Sequence, residues 1–166
     1  KATARESNPT VPQMKSVRLG INVASCDGLP SIVVVGNTQE EVDRLNKKLS
    51  HVIWDEELAG KFIYASTTNL NDLKIVSGVK SSTGILVIEP DVYGMKGRLI
   101  KAIDADVSSD DLKSTLSNAA DTFKRNLKSH RSHVRYGRRN GEIWKTEVPV
   151  PNRRRSTFRG SSGRER

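Results

Sequence analysis

The sequence predicts an α/β domain, a central mixed sheet flanked by helices, with a basic C-terminal tail. Three observations predict it. Ile32-Val33-Val34-Val35 is a run of four β-branched residues with no polar break, which suits a strand covered on both faces. Next, 38–59 places Val42, Leu45, Leu49, Val52 and Ile53 near one helical face and stops at Gly60, just before the apolar run 62–65. Strand, crossover helix and strand at this spacing imply parallel neighbours joined by a right-handed connection. Third, the runs 85–88 and 98–103 are separated by Pro90, Asp91, Gly94 and Gly97, turn residues that predict an antiparallel hairpin with a loop longer than the tightest types.

Residues 1–13, with Pro9, Pro12 and little apolar content, are expected to be disordered. Val17, Leu19, Ile21 and Val23 alternate with Arg18, Gly20 and Asn22, which predicts a strand, placed at an edge because Gly20 weakens it. Residues 25–30 read as a turn. Thr38 and Glu41 form a capping box that starts the long helix. A helical turn or two is expected over 71–76, ended by Gly78. Ser108 and Asp111 repeat the capping pattern, and Leu112, Leu116, Ala119, Ala120, Phe123 and Leu127 mark a second amphipathic helix over 109–127. Its first turn is acidic and its last is read as basic, through Lys124, Arg125 and Lys128. The expected order is β, β, α, β, short α, β, β, α over residues 14–128, with 129–166 a tail too poor in apolar residues to offset chain entropy.

Of the formal charge of +9, the end of the chain carries all the excess. Residues 124–166 hold 14 Lys and Arg against 3 acidic residues, a net of +11, while the remaining 14 basic and 16 acidic residues net −2. No apolar run approaches membrane-spanning length, and there is no N-terminal apolar segment of the signal-peptide type. The chain begins at Lys1, so a fragment or a processed product is expected, which leaves the compartment open between cytoplasmic and exported. A single cysteine, Cys26, forbids an intrachain disulfide and a cysteine-only metal site.

A βαβ half followed by a ββα half, with Gly60-Lys61-Phe62-Ile63-Tyr64 after the long helix, Gly78-Val79-Lys80-Ser81-Ser82-Thr83 before a strand, and a closing hairpin, resembles the thioredoxin-like family. The resemblance implies a redox site where the strand 32–35 meets the following helix. In redox-active members Cys-x-x-Cys stands there, its first thiol activated by the helix N-terminus. This chain has Gly36-Asn37-Thr38-Gln39-Glu40-Glu41 instead. The family's cis-proline position holds Thr83, and a non-proline cis bond costs about 2.5–4 kcal/mol. What the resemblance then implies is a non-catalytic protein-binding or scaffold domain without thiol–disulfide exchange, with Asn37, Thr38, Ser82 and Thr83 as the candidate peptide contacts.

No catalytic residue, cofactor or metal site is expected. Cys26 reads as an incidental turn cysteine, its thiol pKa raised by Asp27. His51 reads as a surface residue, and His130 and His133 as polar residues of the tail lacking a third ligand. Asp104 and Asp106 suit a solvated loop, Asp110 and Asp111 a helix start. The tail interleaves Arg138, Arg139, Arg153, Arg154 and Arg155 with Tyr136, Trp144 and Phe158, a pattern able to hold a phosphate backbone and stack on bases. Binding of nucleic acid or another polyanion is therefore one alternative function, and an atypical thioredoxin-like enzyme is another. Residues 142–148 alternate and read as an added edge strand or a docked peptide.

Overall fold

The computed structural model describes residues 10–80 and 83–142. In chain order the elements are α1 (Val17–Asp27), β1 (Ser31–Val35), α2 (Gln39–Ser50), β2 (Ile63–Thr67), a 3-10 turn (Leu70–Ile75), β3 (Val76–Ser77), β4 (Gly84–Pro90), β5 (Gly97–Ile103), α3 (Ser109–Thr122) and α4 (His130–Arg139). The strands form one mixed sheet in the order β2-β1-β4-β5-β3. β1 lies parallel to β2 and antiparallel to β4, β4 is antiparallel to β5, and the two-residue β3 runs parallel to β5 at the edge.

All five residues of β1 are buried, as a strand covered on both faces requires. Its alternation splits the core in two. Ile32 and Val34 join Val42, Leu45 and Leu49 of α2 and Leu112 and Leu116 of α3, while Val33 and Val35 join Val17 and Ile21 of α1 and Leu73 and Val76. β4 divides in the same way, Ile85 and Val87 to the first layer and Leu86 and Ile88 to the second.

Several expectations are corrected. Residues 17–23 are helical: Ser16 caps α1 by accepting from the Leu19 amide at 3.1 Å, Gly28 closes it with φ of 68°, and Val17, Ile21 and Ala24 form its buried stripe. The alternation at 17, 19, 21 and 23 was a coincidence of two periods, and the caps decided between them. α2 stops at Ser50, after which three-residue hydrogen bonds such as His51 to Lys48 and Val52 to Leu49 fold 51–60 into tight turns that still bury Val52, Ile53 and Leu58. α3 ends at Thr122, whose hydroxyl bonds back to the Asn118 carbonyl at 2.8 Å; Phe123 is extended, so Leu127 and the basic residues beyond are not its last turn, and Leu127 is 96% exposed. Residues 10–13 are docked rather than disordered, with Val11 in the core and Gln13 bridging Tyr64. The largest correction is α4, ordered inside the expected tail: His133 meets Asn22 of α1, Tyr136 stacks on Tyr93 of the β4–β5 loop with ring centroids 4.0 Å apart, and Glu142, just past the helix, pairs with Arg18 of α1.

Candidate functional site

At the C-terminal end of β1 Thr38 caps α2, and Glu41 reaches back to the amide of Asn37, one residue before the cap, rather than to that of Thr38. Thr38 Oγ1 accepts from the Glu41 amide at 3.3 Å, and the Glu41 carboxylate accepts from the Asn37 amide at 2.7 Å. The pairing of Val35 with Gly84 brings Thr83 alongside Gly36, so Thr83 reaches the same edge as the exposed Asn37 and Thr38. Ser82 lies outside the described residues. No sulfur stands at this junction.

A second locus lies at the other end of β1, in the seam between α1 and α4, and the sequence did not foretell it. Cys26 belongs to the last turn of α1 rather than to a turn, and its Sγ stands 3.0 Å from Nδ1 of His130, the first residue of α4. A cavity of about 420 Å³ opens here, lined by Asn22, Cys26, Asp27, His130, His133 and Arg138 among others. Burial first, then Asp27, pushes the Cys26 thiol up, against a smaller downward pull from Lys128.

His133 is no tail residue either, being 5% exposed. Its Nε2 lies 3.2 Å from Asn22 Oδ1, and Asn22 Nδ2 donates to the Tyr93 carbonyl. With Oδ1 accepting, the His133 proton sits on Nε2, which leaves Nδ1 a bare lone pair without a hydrogen-bond partner among the described residues. Burial first, then Lys128 and His130, lower the His133 pKa. Lys128 ties the approach to α4 onto α1 by donating to the Ser25 carbonyl and hydroxyl at 2.6 and 2.7 Å.

α4 turns its charge outward: Arg131, Arg135, Arg138 and Arg139 are all exposed along a shallow groove that also includes His130 and Val134. Arg153, Arg154 and Arg155, like 143–148, lie outside the described residues. His51 is exposed at the end of α2, and Asp104, Asp106, Asp110 and Asp111 are exposed around the start of α3. Among the described residues no set of three or more His, Cys, Asp or Glu is arranged to hold a metal ion, and no helix is long and apolar enough to cross a membrane. No family model, curated protein or solved structure matches the chain.

Proposed function

We propose that this chain is a non-catalytic, thioredoxin-like binding domain that holds a protein partner at the edge formed by Asn37, Thr38 and Thr83. The observation that carries the reading is the register of β1 with β4, which gathers those residues around the capped start of α2 with no thiol among them. The strand order supports the thioredoxin-like assignment, since the parallel pair β1 and β2 with its α2 crossover sits beside the antiparallel β4 and β5 followed by α3. Dithiol exchange needs a second thiol to resolve the mixed disulfide, and this chain has one cysteine. In an insulin-reduction assay with a dithiol reductant the rate should equal that of the reductant alone. Turnover that disappears in Cys26→Ser would overturn the non-catalytic reading. Asn37→Arg, which leaves the backbone cap intact, should abolish capture of the partner retained by the unaltered chain, and unchanged capture would move the binding surface elsewhere.

A second reading, polyanion binding through the tail, is favoured by α4 itself. Its buried positions are His133 and Gly137, and Arg131, Arg135, Arg138 and Arg139 lie exposed along it. Binding of a labelled single-stranded oligonucleotide should fall steeply with salt, and Arg131→Ala with Arg135→Ala should lower the log–log salt slope by about 0.7 per lost contact. Salt-independent binding would exclude the backbone-phosphate mode.

A further inference from the structure

We propose that Cys26 is a site of reversible S-thiolation, with His130 accepting its proton and the cavity between α1 and α4 receiving a small, amide-containing disulfide that bears a carboxylate. Three observations point there independently. The thiol and imidazole already sit at hydrogen-bond separation, 3.0 Å, at the mouth of a cavity whose volume of about 420 Å³ falls within the roughly 300–1,000 Å³ range of small-molecule sites. The bare Nδ1 of buried His133 in the cavity wall lacks a donor that an amide or amine N–H of a ligand would supply. Arg138, at the same wall, offers the fork-shaped donor set that suits a carboxylate.

The electrostatics define how the step must run. The groups around Cys26 are its neighbour Asp27, Lys128 from the segment before α4 and His130 from α4, with His133 and the exposed Arg138 also lining the seam. Burial and Asp27 keep the thiol protonated at rest, so attack needs a base in contact. The Cys26 proton passes to His130 Nδ1 as the sulfur attacks one sulfur of the disulfide. A new S–S bond forms to Cys26, the original S–S bond breaks, and the departing thiolate takes the proton back from His130. Cys26 is oxidised and the departing half is reduced, so no other oxidant enters. With no second cysteine in the chain, the adduct persists until an external thiol reverses the exchange. This is one stoichiometric modification, distinct from turnover, and it stands or falls separately from the partner-binding edge.

The test incubates the full chain with oxidised glutathione and follows intact mass. One adduct should form, absent in Cys26→Ser. His130→Gln, an exposed position where the Ser129 cap is retained, should slow its formation by about a hundredfold, the low end of general-base assistance. The unaltered chain should also show a reactive limb at pH values below thiol ionisation that the variant lacks. Arg138→Gln should slow reaction with oxidised glutathione but leave reaction with uncharged hydroxyethyl disulfide unchanged. Equal rates in the unaltered chain and His130→Gln, or a rate that simply follows thiol ionisation in both, would overturn the proposal. An Arg138→Gln effect equal for both disulfides would remove the carboxylate assignment.

Discussion

Gly94 fills a position that no side chain can share. Its φ is 67°, and a Cβ added there would stand 2.6 Å from Asn22 Cα and 2.9 Å from the Ile21 carbonyl, both backbone of α1. Gly94→Ala therefore combines left-handed strain with a clash that only backbone movement relieves, and should lower stability by about 2–4 kcal/mol. A urea titration would show a lower midpoint at unchanged slope, while a loss below about 0.5 kcal/mol would mean that the hairpin loop is not held on α1. Thr38→Ala is a milder case. It removes one cap oxygen and should cost about 1 kcal/mol, measurable in the same titration.

Among the elements, α4 has an attachment that depends on the protonation of a buried histidine. Docking holds His133 neutral against Asn22, with Lys128 and His130 adding to the effect of burial while Asp91 and Asp27 oppose it. An undocked His133 titrates at its ordinary 6.5, so below that value the undocked state binds more protons. Docking free energy is then complete above about pH 6.5 and is lost as pH falls from there toward the depressed docked pKa. Amide exchange in α4, corrected for intrinsic rates, should accelerate over that window and stay level in His133→Gln; protection independent of pH in the unaltered chain would refute the account. The same helix shows where sequence reading stopped. β1, the caps at Thr38 and Ser108 and the hairpin were legible because their determinants are local. α4 was not, because its buried side consists of a histidine and a glycine rather than aliphatic residues, and only Ser129 ahead of the His133 and Gly137 spacing hinted at a helix. The pair of Cys26 with His130 spans 104 positions, beyond any periodicity.

For the molecule as a whole, β1 is the place where stability concentrates. Val34 is fully buried between α2, α3 and the sheet, and Val34→Asp would strand a charge there at a cost of several kcal/mol against a total of about 5–15. Circular dichroism should show no cooperative melt, and a retained melt would remove β1 from the centre. The seam between the two ends of the described chain has a different consequence. Lys128 reaches Ser25 across 103 positions and Arg18 reaches Glu142 across 124, so these contacts have among the highest contact order in the protein. Closing so long a loop gains nothing until the intervening sheet exists, so α4 is expected to fold late, with its interactions absent from the rate-limiting transition state. Substitutions in the seam should thus speed unfolding and leave the folding limb of a chevron plot untouched, and α4 should behave as a separate foldon that opens well before the sheet does.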